Sequence, residues 1–132
     1  PDFQSCKKCM ACKKACPAHA VNGDFTINAE KCLSHVTQKK GELTPDEIKM
    51  LVENNAVFGC DICQTVCPHN KNVKKTNFDE FSKNLITNLS YDEISSLSNK
   101  EFLKKYGDRA FAWRGKKVPE RNLMYIKNAE NK

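Results

Sequence analysis

The stretch Cys6-Lys7-Lys8-Cys9-Met10-Ala11-Cys12-Lys13-Lys14-Ala15-Cys16-Pro17 decides the reading of this chain. Its cysteines follow C-x2-C-x2-C-x3-C-P, the spacing by which bacterial ferredoxins ligate iron-sulfur clusters. Two intervening residues let a short loop curl over one face of a cubane with its backbone N–H groups toward the sulfurs. The fourth cysteine is carried away by the next turn, and the Pro after it lacks an N–H and fixes its backbone angle, so the chain departs. That cysteine serves the other cluster of a pair.

A second, broken copy lies downstream: Cys32 stands alone, and Gly59-Cys60-Asp61-Ile62-Cys63-Gln64-Thr65-Val66-Cys67-Pro68 repeats the C-x2-C-x3-C-P ending. Eight cysteines then divide without remainder. Cys6, Cys9, Cys12 and Cys67 are expected to hold one 4Fe-4S cluster, and Cys16, Cys32, Cys60 and Cys63 the second. A disulfide framework suits an even count, but it belongs mainly to secreted chains, and triplets at two-residue spacing pair poorly with one another. Zinc is the stronger rival, yet zinc motifs show two separated pairs rather than three regularly spaced cysteines and a fourth before Pro. A zinc protein would be a colourless structural or nucleic-acid-binding module, whereas a cluster protein is brown. His19, His35 and His69 flank the motifs, and with eight thiolates already matched they read as neighbours of the clusters or exposed side chains.

The rest of the composition agrees with a cofactor-dependent fold. With 132 residues, 39% hydrophobic residues, 8% aromatics and one Trp, apolar burial alone stabilises such a chain weakly, and metal centres commonly compensate. No run approaches the roughly 18 apolar residues of a membrane span, so a soluble, cytoplasmic protein with no membrane partner is expected. The chain opens Pro1-Asp2-Phe3, without an initiator Met or a signal peptide, as an internal piece of a longer protein would. Its formal charge of +6 falls to about +2 once eight thiolates and two oxidised cubane cores are counted.

Between the motifs, Asn22-Gly23 with Phe25 and Ile27 alternating predicts a small two-stranded hairpin. The 27 residues from Cys32 to Cys60 exceed what a minimal ferredoxin needs. Within them Thr44-Pro45-Asp46-Glu47 is a capping box with Pro at the first helical position, and Ile48, Leu51 and Val52 form a stripe, predicting a helix from Pro45 to about Asn54. Beyond Pro68 the composition shifts toward Lys and Asn. Ser90-Tyr91-Asp92-Glu93 and Ser98-Asn99-Lys100-Glu101 predict two further capped helices, the second stopped by Gly107, and a last helix is expected near Pro119 carrying Leu123, Met124 and Ile126. The fold class expected is α+β, mostly α: a dicluster bacterial-ferredoxin-like domain over 1–70 with a helical insertion near 44–55, and a helical C-terminal extension over 71–132.

The motifs also resemble one family closely. The first cysteine run, Cys32-Leu33-Ser34-His35-Val36-Thr37, the Gly59 to Asn70 string and the Arg114-Gly115 through Arg121-Asn122-Leu123 ending are similar to the C-terminal iron-sulfur half of the epoxyqueuosine reductases. His69 departs from the aromatic residue expected there and His35 from a common Tyr; neither is a ligand position. The resemblance implies an oxidoreductase of queuosine biosynthesis and tRNA processing. It implies two 4Fe-4S clusters passing electrons to cobalamin for reduction of epoxyqueuosine to queuosine in tRNA. It further implies as partners an N-terminal cobalamin-binding domain of the same protein, a reduced flavodoxin or ferredoxin-type donor, and tRNA. No catalytic residue carries over to this chain, which on its own is not catalytically complete. The related cobalamin-dependent reductive dehalogenases share a dicluster module, but the second motif favours the tRNA enzymes. A free-standing dicluster ferredoxin-type carrier is the alternative, and the insertion and tail weigh against it. Lys7, Lys8, Lys13 and Lys14 interleave with the first ligands, where they either dock an acidic donor or tRNA phosphate, or solvate the loop.

Overall fold

A computed structural model describes residues 6–130, so the opening at 1–3 lies outside the described residues. The helices are α1 (Ala11–Ala15), α2 (Leu33–Val36), α3 (Pro45–Glu53), α4 (Ile62–Thr65), α5 (Tyr91–Ser96), α6 (Asn99–Tyr106) and α7 (Lys117–Glu130), with short 3-10 turns at Pro68–Asn70, Asp79–Phe81 and Ala110–Ala112. The expected domains cut the chain at residue 70. Compactness divides it differently, into one unit of Pro1–Cys32 with Asp61–Thr87 and another of Leu33–Cys60 with Asn88–Lys132. The segment between Cys32 and Cys60 therefore folds with the C-terminal helices.

The first unit packs α1 against α4 around the cysteine loops. Ala20 is the one buried hydrophobic residue among its described residues, while Phe25, Val73, Phe78, Phe81 and Leu85 are exposed. The hairpin expected at Asn22-Gly23 shrinks to a single antiparallel bridge, Val21 to Ile27, closed by Asn22 N–H to Thr26 O at 3.1 Å and Asn28 N–H to Ala20 O at 2.8 Å. Phe25 adopts φ 71°, a left-handed conformation that breaks the alternation a longer strand requires. The β part of the expected α+β class thus reduces to one bridge among the described residues.

The second unit has an apolar core of its own. Leu33, Val36, Leu43 and Leu51 form one cluster, joined by Ile48, Tyr125 and Ile126; Ile94, Phe102, Tyr106, Ala112 and Leu123 form another. Helix α7 belongs to both, through Leu123 in one and Tyr125 and Ile126 in the other. It packs against α3 and α5, while α2 packs on α3. Helix α3 starts as its capping box requires: Thr44 Oγ1 accepts from Glu47 N–H, and a Glu47 carboxylate oxygen accepts from Thr44 N–H at 2.9 Å. The same box operates at Ser98 and Glu101 before α6. At Ser90 it does not, because α5 begins there with no side-chain cap. Gly107 ends α6 at φ −63°, so handedness is not why glycine stands there: a Cβ would run into the Leu103 carbonyl oxygen. Helix α7 begins two residues before Pro119, which fits because the first-turn N–H groups have no partner within a helix.

Two buried polar side chains tie the second unit together. Asn122 Nδ2 donates to Thr37 O at 2.7 Å and to Val57 O at 2.8 Å, and its Oδ1 accepts from Arg121 Nε and Nη2. Thr37 Oγ1 donates to Ser34 O and accepts from Gly59 N–H at 3.0 Å. Both residues are 0% exposed. They pin the backbone just after Cys32 and just before Cys60.

Three measurements check this account. Asn122→Ala strands two buried carbonyls and should cost about 3 kcal/mol in urea denaturation. Thr44→Ala should cost about 1 kcal/mol in the same assay. Burial alone would raise the Glu47 carboxyl, but hydrogen bonds from Lys39, at 2.5 Å, and from Thr44 N–H hold it below its ordinary 4.5. A depressed folded value means that this stabilisation is present above the unfolded value and disappears as pH falls through the folded one. The stability gap between the parent and Glu47→Gln should accordingly be larger at neutral pH than at pH ~3.

Candidate iron-sulfur centre

Helices α1 and α4 each take up a cysteine of one run, and the two helices pack together. Cys12 lies in α1, Cys63 in α4, and Cys67 just beyond α4 before Pro68. Between Cys6 and Cys12 the backbone visits the left-handed region at Lys8 (φ 54°) and Met10 (φ 59°). Alternation of this kind turns successive N–H groups to one side and makes a concavity for anions. Lys8 N–H donates to Cys6 Sγ at 3.4 Å, and Ala20 N–H to Cys16 Sγ at 3.3 Å. Hydrogen bonds of this type to sulfur are among the means by which a protein tunes a cluster's potential.

The loops enclose a cavity of about 510 Å³. Cys6, Cys9, Cys12 and Cys67 all line it, and these are the four residues that the cysteine pattern groups together although 55 positions separate the third from the fourth. Cys63, which the pattern assigns to the second set, also contributes to the wall. Cys16 and Cys32 belong to the first unit outside this cavity, and Cys60 closes the Leu33–Cys60 segment of the second. The eight cysteines form no disulfides. Among the described residues no three His, Cys, Asp or Glu side chains converge on a point that one metal ion could occupy. The four residues of the first set line a cavity instead.

His69 lies on the cavity wall, while His19 and His35 are exposed outside it. The four lysines of the first cysteine run separate by task. Lys13 Nζ donates to Asn22 O at 2.9 Å, and Lys8 Nζ stands 5.7 Å from the centre of the Phe25 ring, so both help to fold the loop. Lys7 and Lys14 are exposed and make neither contact. Phe25 and Ile27, exposed residues of the reduced hairpin, form part of the cavity's lining. Their spacing of two was visible in the sequence, but their place beside the cysteines depends on Gly23. At φ 93° that glycine brings the turn against Met10 Sδ and the Lys13 stem, within 3.1 and 3.3 Å of where a Cβ would sit.

A cysteine-lined cavity between two short helices, on a chain with two C-x2-C-x3-C-P endings, defines a ferredoxin-type iron-sulfur protein. Residues 5–70 match the family described as 4Fe-4S double cluster binding domain, and the chain belongs to that family. Over 126 residues it is 39% identical to epoxyqueuosine reductase of Lactococcus garvieae (strain Lg2), covering 95% of this chain and 35% of the relative. The solved structure of epoxyqueuosine reductase from Streptococcus thermophilus superposes with a TM-score of 0.81 at 31% identity, covering all of this chain and 35% of that one. An epoxyqueuosine reductase crystallised with an epoxyqueuosine-modified tRNA stem loop gives a TM-score of 0.76 at 34% identity, covering 96% and 33%. The resemblance seen in the motifs thus extends through the whole chain, which spans about a third of the length of these relatives.

Gly23→Ala tests the packing of the bridge turn on the first cysteine loop. Strain at positive φ and the approach to Met10 should destabilise the protein by about 1 kcal/mol or more and lower the iron retained after purification.

Proposed function

We propose that this chain is the electron-transfer portion of an epoxyqueuosine reductase. Cys6, Cys9, Cys12 and Cys67 would hold one 4Fe-4S cluster and Cys16, Cys32, Cys60 and Cys63 the other. The observation that carries the reading is the shared cavity of the first set, since a ligand drawn from the second motif is the mark of a dicluster ferredoxin. When bound, the clusters supply one-electron transfer, and cobalamin, held mainly by the N-terminal domain, would supply the centre that meets the epoxide. Deoxygenation of the epoxide to the alkene takes two electrons and two protons and releases water, so two single-electron passages serve each turnover. The chain's own contribution is to hold the thiolates, to donate N–H groups to sulfur at Cys6 and Cys16, and to place cationic Lys7 and Lys14 where an electron donor can dock.

The partners proposed with this reading are an N-terminal cobalamin-binding domain of the same protein, a reduced flavodoxin or ferredoxin-type donor, and tRNA as substrate, the last supported by the relative crystallised with a modified tRNA stem loop. No helix among the described residues is long and apolar enough to cross a membrane. A cytoplasmic location fits a tRNA substrate. A free-standing carrier is disfavoured because the second unit spends a full apolar core on helices that electron exchange at a ferredoxin loop does not require.

Protein purified without oxygen should be brown and contain about eight irons and eight sulfides per chain with little zinc. Cys67→Ser should lower iron toward about four per chain and leave one electron paramagnetic resonance signal on reduction. About two zincs and no colour would overturn the proposal. Stripping iron with a chelator should abolish amide protection in residues 6–32 and 61–87, whose described residues bury little apolar surface, while leaving it around Leu51, Phe102 and Leu123.

A further inference from the structure

The chain has a single Trp, Trp113, and it is 61% exposed. So large an aromatic is ordinarily well buried, and this one is held in place without being covered. Its Nε1 donates to Gln38 Oε1 at 3.1 Å. The guanidinium carbon of Arg114 lies 3.9 Å from the ring centroid. The residue before it, Ala112, is 2% exposed within the core cluster, and Gly115 follows two positions later at φ 77°. The ring is thus preorganised by a hydrogen bond, a stacked cation and an anchored backbone, and remains open to solvent.

Acidic side chains of the adjoining segments are taken up in ion pairs, Glu47 with Lys39 and Glu120 with Lys116, whereas several of the basic ones are not. Among the described residues Arg114 makes no ion pair, so its positive charge lies uncompensated against the ring. Lys40, two residues beyond Gln38, and Lys117, four beyond Trp113, are exposed and likewise take no part in an ion pair among the described residues. A rigid flat ring, an arginine plane and nearby amines are the elements with which proteins receive single-stranded nucleic acid: bases stack on the aromatic face and phosphates meet the cations. A protein partner would instead favour an apolar patch around the ring, and Trp113 has basic residues beside it in the chain.

We propose that Trp113 and Arg114 form a stacking platform for an unpaired base of RNA, with Lys40 and Lys117 meeting its phosphates. The choice of RNA rests on reading this chain as part of an enzyme that acts on tRNA; the platform itself rests on the geometry of the second unit.

The test uses the full, cluster-loaded chain and a dye-labelled RNA stem-loop with unpaired loop bases, followed by anisotropy and by emission from the single Trp. Binding should quench Trp113 in step with the anisotropy. Trp113→Ala should weaken binding about tenfold and Trp113→Phe much less. Lys40→Ala and Lys117→Ala should each reduce the slope of log affinity against log salt by about one. Because the ring is exposed, the helical circular dichroism of all these variants should match the parent. Parent-like binding by Trp113→Ala, saturation without quenching, equal preference for a fully paired RNA duplex, or no binding by the parent would each overturn the platform. Iron and sulfide measured on the same samples keep the two ideas apart. Full clusters with unchanged binding by Trp113→Ala removes the platform alone, and missing clusters removes the electron relay alone.

Discussion

In the first unit, which carries every cysteine but Cys60, there is almost no apolar burial among the described residues to hold a fold. Among the described residues of the first unit only Ala20 is a buried hydrophobic, and helices of five and four residues lie far below the length at which helices persist by themselves. The loop also accepts left-handed conformations at Lys8 and Met10, each unfavourable for a residue with a Cβ. Such a unit needs a stabilising interaction other than the hydrophobic effect. Ligation by thiolate supplies one of the right kind, because a site that assembles only in the folded chain makes its binding free energy into folding free energy. The arrangement of Cys6, Cys9, Cys12 and Cys67 about one cavity is where that interaction acts in the proposed dicluster reading.

The second unit follows the opposite principle. Its helices are short too, but Leu51, Ile94 and Phe102 are fully buried, and α7 serves both clusters of its core. What the apolar clusters do not fix, Asn122 and Thr37 do. A buried amide that satisfies two carbonyls from separate segments favours one register of those segments over its neighbours, since any slip leaves polar groups unpaired. The segments in question lead directly from Cys32 and into Cys60. The insertion and the tail can therefore be understood as one helical body that fixes the stretch of chain joining two cysteine positions.

Legibility in the sequence followed the range of the interaction. Cysteine spacing and the Thr44 and Ser98 capping boxes are local; helices α3 and α6 start at those boxes, and Cys6, Cys9, Cys12 and Cys67 line one cavity together with Cys63. The Ser90 box has the same letters and opens α5 without a side-chain cap, because such a motif states what can form rather than what does. The hairpin failed for the same reason: Asn22-Gly23 specifies a turn, but Phe25 at φ 71° ends the ladder after one bridge. The grouping of 33–60 with 88–132 could not be read at all, since it depends on contacts such as Asn122 to Thr37 across 85 positions. Trp113 illustrates the remaining gap. Composition showed one Trp, and only the structure showed it fixed and open.

Exposure within the first cysteine set bears on how the proposed centre would exchange electrons. Cys6 and Cys9 are exposed, whereas Cys12 and Cys67 are half-buried. Solvent and positive charge favour the reduced, more negative form of a cluster, and they act most strongly on the side where water and cations approach. That side carries Lys7 and Lys8 in the sequence, and Lys8 is further held against Phe25. The lysines that fold the loop and the lysine left to meet a partner are therefore neighbours. A single short loop can in this way set both the potential of its centre and the charge that a donor would encounter.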